Sequence, residues 1–216
     1  MKNKDSAIFF DKFAATFDTF YDGKRNVFMQ FIDKKFRKDI FLRFTKTFEY
    51  LGNLSEKTVI DIGCGSGIYV EECLSKGVKF VTGVDPAPGM LELAAKRLTD
   101  EAFKNRFALK EGYFPNCQVD PHDFAIVMGV MDYIEDPSQF LKGLQKTVRT
   151  AASVSFPSKH WFRTPFRKIR YRLRNCPVYF YDEITIKRLA DNAGFKSFEI
   201  HKVPGAGQDY VVLLKN

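Results

Sequence analysis

Val59-Ile60-Asp61-Ile62-Gly63-Cys64-Gly65-Ser66-Gly67 is the stretch whose reading decides the fold. A short β-branched strand runs into three glycines, and Ile68 to Ser75 follows with helical spacing. A strand that ends in a glycine loop just before a helix N-terminus lets backbone N–H groups and a ligand approach closely. Eighteen residues beyond Gly67, at the end of the next strand, stands Asp85, where a carboxylate accepts both hydroxyls of a ribose. A dinucleotide fingerprint would need G-x-G-x-x-G, but the sixth position is Ile68 counted from Gly63 and Val70 counted from Gly65. Asp61, immediately before the glycines, would also sit poorly beside a pyrophosphate. An acid there suits a ligand with positive charge, such as the ammonium of an amino-acid moiety.

Outward from this stretch the period alternates between strands and helices. Lys79 to Val84 reads as a second strand and Pro88 to Leu98 as a second helix. Arg106 to Lys110, Asp123 to Gly129 and Ala151 to Phe156 read as further strands, with a helix over Pro137 to Val148. Asp182 to Ala193 reads as a helix closed by Gly194, and Ser197 to Val203 and Asp209 to Leu214 as a closing hairpin. The class is α/β, with a Rossmann-like, doubly wound, mostly parallel sheet. Before it, residues 5 to 51 carry apolar side chains at steps of three and four, broken at Asp22-Gly23. The expected organisation is a single domain over 1–216: a helical cap at 1–52, a cofactor-binding core at 57–157, a basic and aromatic lid at 158–181, and a closing helix and hairpin at 182–216.

A nucleoside with a positively charged aminoacyl tail is S-adenosylmethionine. Asp61-Ile62-Gly63-Cys64-Gly65-Ser66-Gly67, with Gly83-Val84-Asp85 and Met90 behind it, resembles the nucleoside-binding motifs of class I S-adenosylmethionine-dependent methyltransferases. The resemblance is specific from about Lys57 to Leu98. It continues more loosely through Asp123 to Pro137 and the Ala-Gly-Phe that ends at Phe195. It implies a seven-stranded sheet with an antiparallel last strand. It also implies that Gly63, Cys64, Gly65 and Gly67 form the loop around the methionine portion, with Asp61 nearby. Asp85 would hold the ribose, and Pro86 and Met90 would flank the adenine or ribose. Gly129 and Val130 match positions at the sulfonium end that face the substrate. Many relatives carry an Asp after the glycine that follows strand three, but here Glu111-Gly112 precedes Tyr113. Tyr113 and Phe114 would then offer a backbone N–H and a stacking surface to the adenine. Phe17 and Tyr21 sit where relatives place aromatics of an N-terminal helix over the cofactor, with core packing as the competing reading.

Methyl transfer is an in-line displacement at an activated sulfonium, so positioning carries much of the acceleration. A general base is needed only where the acceptor must lose a proton. Asp132 and Tyr133, after strand four, are expected to face the acceptor, unless they serve as a helix cap and a core residue. His160, just beyond strand five, is the candidate base near neutral pH. Trp161 and Phe162, with Arg163 and Arg167 at the rim, would suit an amphipathic or anionic small molecule, as in the branch that includes the magnesium-protoporphyrin and quinone-biosynthesis enzymes. No Asn-Pro-Pro-Tyr or Asp-Pro-Pro-Tyr follows strand four, which argues against methylation of a nucleobase amine.

Composition sets the remaining bounds. The net charge is +8, and Lys159 to Arg174 alone carries seven cations and no acid, so the basicity belongs to one segment. That segment keeps three partners open: an anionic acceptor, a peripheral membrane surface, and RNA, whose methylation is the chief rival reading. A cofactor-binding but inactive regulatory protein is the rival outside enzymes. Four cysteines, at 64, 73, 117 and 176, show neither paired nor zinc spacing, so no metal is expected and a reducing, cytoplasmic setting is. The charged N-terminus has no apolar run of the kind a secretory signal needs.

Overall fold

The computed structural model describes Ile8, Asp11 and residues 41–159, 178–204 and 209–216. Helix α1 covers residues 41–51. Seven strands follow: β1 (Thr58–Ile62), β2 (Phe80–Asp85), β3 (Phe107–Glu111), β4 (His122–Val127), β5 (Val148–Phe156), β6 (Ser197–Lys202) and β7 (Tyr210–Lys215). Four helices alternate with them: α2 (Ile68–Ser75), α3 (Pro88–Arg97), α4 (Pro137–Thr147) and α5 (Glu183–Ala193). The strand order is β3-β2-β1-β4-β5-β7-β6. β7 runs antiparallel to both β5 and β6, and the other pairings are parallel. The expected class and the antiparallel last strand are therefore both found.

Local chemistry explains where the helices begin. Asp136 caps α4 by accepting the Gln139 N–H at 3.0 Å, and Asp182 caps α5 by accepting that of Thr185 at 2.8 Å. Pro88 and Pro137 occupy first-turn positions, where a missing N–H costs nothing. Gly194 ends α5 with φ 89°, a left-handed conformation that glycine takes without strain. β5 starts three residues earlier than its sequence suggests. Arg149 and Thr150 are exposed there, so the polar start of the strand carries no apolar signal.

Alternation along the buried strands sends side chains to two cores, one on each face. Ile60, Ile62, Ala125 and Val127 pack with Phe140, Leu144 and Ile186 of α4 and α5. Val59, Val81 and Ile126 pack with Phe48 and Leu51 of α1 and Val70 and Leu74 of α2. β1 lies between β2 and β4, so the chain's winding reverses beside it, and a crevice opens at the carboxyl ends of these strands. The ends of the basic segment are tied together at the same edge. Lys159 N–H donates to the Tyr181 carbonyl at 2.9 Å, and Tyr181 N–H to that of Pro157 at 2.8 Å. Residues 160–177 between them are outside the described ones.

Candidate active site

The glycine loop folds as it does because each glycine meets a different demand. Gly63 has φ 74°, and a Cβ there would lie 2.3 Å from Val130 Cγ2, so the β4 loop packs directly on its backbone. Gly65 has φ 52° with open space where a Cβ would stand. Gly67, at φ 78°, begins α2 and would press a Cβ to 3.0 Å from that of Ala94 on α3. Arg97 braces the loop from outside, with Nε donating to the Ser66 carbonyl at 2.8 Å and Nη1 to Glu71 at 3.0 Å.

Two acids stand behind this loop. Asp85 is buried at the end of β2. It accepts the Gly65 N–H at Oδ2 and the Ala87 N–H at Oδ1, each at 2.9 Å. Burial raises its pKa, and these two N–H bonds oppose the rise. Asp61 is 1 % exposed, and its Oδ2 has no hydrogen-bond partner among the described residues. Burial, with the Asp85 charge beside it, pushes its pKa up to about 8. A buried, unpaired carboxylate oxygen is costly unless a cationic or donor group meets it.

Above the loop lies a cleft of about 310 Å³, within the roughly 300–1,000 Å³ common for small-ligand sites. Gly63, Cys64, Gly65, Asp85, Pro86, Met90, Tyr113, Phe114, Gly129, Val130 and Tyr133 all line it. Eleven expected positions from four separate segments thus converge on one space. Gly67 and Asp61 sit just behind its wall. Asp132 does not line it: it is buried, and its carbonyl accepts the Tyr179 N–H at 2.8 Å. Phe17, Tyr21, His160, Trp161, Phe162, Arg163 and Arg167 lie outside the described residues. Of the other histidines, His122 is buried against Thr82 and the Asp120 carbonyl at 2.8 and 2.7 Å, and His201 stacks on Tyr50 at 4.0 Å between ring centroids.

The structure adds wall residues that the sequence did not single out: Ile68, Tyr69, Met128, Ile134 and Phe140. Tyr69 follows the loop by one residue pair in the first turn of α2, and that position was the available signal. Its ring packs against Phe44 and Phe48 of α1, with centroids at 5.1 and 6.0 Å, and burial pushes its pKa up to about 12. Phe140 meets Phe114 edge to face at 5.1 Å, closing the Phe114 side of the cleft. Near Met90, the first turn of α3 is capped from far away, where Gly89 N–H donates to Asp11 Oδ1 at 2.9 Å. Among the described residues lining the cleft, Asp85 is the one that is charged.

Fold and cleft together define an α/β protein with a ligand cleft at the carboxyl ends of its strands, and comparison with known proteins gives the family. Residues 33–200 match the methyltransferase domain family, which is most of the chain. The chain belongs to this methyltransferase domain family. Among curated relatives, a tRNA U34 carboxymethyltransferase of Hahella chejuensis is 27% identical over 187 residues, spanning 82% of this chain and 56% of that protein. A ubiquinone biosynthesis O-methyltransferase of Nitrosomonas europaea is 29% identical over 118 residues, spanning 53% of this chain and 49% of that one. The chain spans between 35% and 56% of the length of the curated relatives it matches. Among solved structures, the magnesium protoporphyrin IX methyltransferase of Synechocystis with bound SAH superposes at a TM-score of 0.79 and 19% identity, over 100% of both chains. No helix among the described residues is long and apolar enough to cross a membrane.

Proposed function

We propose that the chain methylates a small amphipathic or anionic molecule at oxygen. The observation that carries this reading is the character of the cleft. Acids sit on the glycine-loop side, and beside Gly129 the walls are apolar, formed by Ile68, Val130, Tyr133 and Ile134. Among the described residues such walls accommodate the body of an amphipathic molecule. The relative named as an O-methyltransferase supports oxygen as the acceptor atom.

S-adenosylmethionine supplies the methyl group as an already activated sulfonium. The chain's part is to hold it and exclude water. The unpaired Oδ2 of Asp61 and the open space at Gly65 fit its ammonium and its methionine portion. Asp85 keeps lone pairs beyond its two backbone bonds, and these would take the ribose hydroxyls. Tyr113 and Phe114, with Phe140 behind, form an apolar slot for the adenine, and Gly129 and Val130 flank the reacting end. Tyr133 lines the acceptor side and is the described residue best placed to meet the acceptor, with His160 as the proposed base beyond the described residues.

The test is turnover of labelled S-adenosylmethionine with an extract split by ultrafiltration. We expect methylation of the low-molecular-weight, nuclease-treated fraction. Labelling of the RNA fraction alone would contradict the proposal.

A second reading, methylation of tRNA, is favoured by the relatives named as tRNA U34 carboxymethyltransferases and by the seven cations of Lys159 to Arg174. It predicts tRNA binding that weakens steeply with salt, with log K falling by roughly 0.7–0.9 per log unit of salt for each phosphate neutralised.

A further inference from the structure

β6 ends the sheet, and no described strand pairs with its outer side. Two hydrogen bonds fix which of its backbone groups face outward. Val203 N–H donates to the Asp209 carbonyl at 2.9 Å, in register with the β6–β7 ladder, so odd-numbered residues of β6 turn their backbone toward β7. Asn216 N–H donates to the Thr150 carbonyl at 3.0 Å, which turns even-numbered residues of β7 toward β5 and leaves its odd ones to β6. The N–H and C=O groups of Phe198, Ile200 and Lys202 therefore point away from the sheet. An edge of this kind is a template for another strand. It ends at Lys196, whose N–H turns inward to the Lys215 carbonyl at 2.9 Å, and at Pro204, which has no N–H.

The side chains make this edge complementary to itself. With Ile200 opposite the same residue of a second antiparallel copy, all three outward residues pair, through about six backbone hydrogen bonds. Glu199 then faces His201 of the second copy, and His201 faces its Glu199. These side chains are 50% and 33% exposed. On the other side of the strand, Lys202 holds its Nζ 5.9 Å from the Tyr210 ring centroid, and its stem would lie along the half-buried Phe198 of the second copy. A slide of two residues one way would set Glu199 against Glu199 and Lys202 against Lys196, like charges directly opposite. A slide the other way would set His201 against His201, and Phe198 against Pro204.

We propose that the β6 edge joins two copies of this chain about a twofold axis at Ile200, so that one sheet runs through both. The isologous contact closes on itself and stops at two chains. β6 lies four strands from β1, roughly 19 Å away at the usual strand spacing, so the pairing leaves both clefts open.

The test is sedimentation equilibrium of the wild-type and Ile200→Pro chains. We expect the wild type to run at twice the chain mass at ~100 μM and to dissociate on dilution. Ile200→Pro removes an outward donor and spares the β7 ladder, at an edge position where proline is tolerated. It should run as a monomer throughout and still melt cooperatively. Where that variant does not fold, Ile200→Cys decides. The Cα atoms of a hydrogen-bonded pair lie about 5.5 Å apart, within disulfide range. Oxidation by copper phenanthroline should therefore crosslink Ile200→Cys above the wild-type background, and should not crosslink Glu199→Cys, which faces His201. A wild type that stays monomeric at ~100 μM would overturn the proposal, as would one that forms larger assemblies. So would a dimer that survives Ile200→Pro, or a Glu199→Cys chain that crosslinks as readily as Ile200→Cys.

Discussion

Two loops rise from the same edge of the sheet, each with a glycine at positive φ, and they recognise in different ways. The loop after β1 holds Gly63, Gly65 and Gly67 and is backed by the buried acids Asp61 and Asp85. The loop after β4 holds Gly129 at φ 73°, with its N–H donated to Ser155 Oγ at 2.8 Å, and is flanked by Met128 and Val130. On the proposed reading the first loop would recognise its ligand by charge and hydrogen bonding, which needs particular residues at fixed spacing. The second would recognise by shape, which many apolar side chains can do. Packing of Val130 onto Gly63 joins the two.

The largest effect on this comparison should come from Gly63→Ala. A methyl group there meets Val130 Cγ2 at 2.3 Å and sits at an unfavourable φ, so both loops must shift. We expect S-adenosylhomocysteine affinity to fall by more than about a hundredfold, with a loss of roughly 2–4 kcal/mol in denaturant unfolding.

Asp85→Ala comes next. It removes an acceptor that serves the Gly65 and Ala87 N–H groups as well as the ligand. A loss of ~1.5–3 kcal/mol, or about ten- to a hundredfold in Kd by titration, is expected.

Asp61→Asn should act in opposite directions on binding and stability. An acid whose folded pKa stands near 8 is protonated in the folded chain but ionised in the unfolded one over the range from its ordinary value of 3.8 up to 8. The unfolded state then binds fewer protons, so Asp61 makes the free protein lose stability as pH rises through that window. Asn removes the titration, so thermal melts at pH 7 should show the free variant more stable by roughly 1–3 kcal/mol. Its cofactor affinity should nevertheless drop about tenfold. Pairing with an ammonium ionises Asp61, so wild-type affinity should rise with pH up to about 8 and binding should release a proton, which calorimetry in two buffers detects. The variant should show neither behaviour.

Gly129→Ala should have the smallest effect. Nothing lies within 4 Å of its would-be Cβ, so the cost is the left-handed backbone alone, about 1–2 kcal/mol of stability. Cofactor affinity should stay within about threefold of wild type, and any kinetic change should appear in the acceptor KM.

The same contrast explains what the sequence discloses. α2 matches its expected bounds residue for residue, because the glycine loop gives way abruptly to a helical period there. Asp61 and Asp85 were legible for the same reason, since acids at buried strand ends contradict the local pattern. Ile134 and Phe140 line the same cleft yet look like core residues, and Phe140 is only 1 % exposed. Tyr69 reads as one more apolar residue in a helix until the packing of α1 places it on the wall. The basic segment after β5 was evident from charge alone, but charge does not tell an acceptor rim from a docking face.

In the proposed site the charged loop after β1 binds the cofactor, and the apolar loop after β4 does not determine its affinity. Calorimetric titration of S-adenosylhomocysteine into the wild-type, Asp85→Ala and Gly129→Ala chains tests this most directly. We predict one site per chain, a ten- to hundredfold loss in Asp85→Ala and a change of less than about threefold in Gly129→Ala. Equal affinities for Asp85→Ala and the wild type, or a greater loss in Gly129→Ala than in Asp85→Ala, would contradict it.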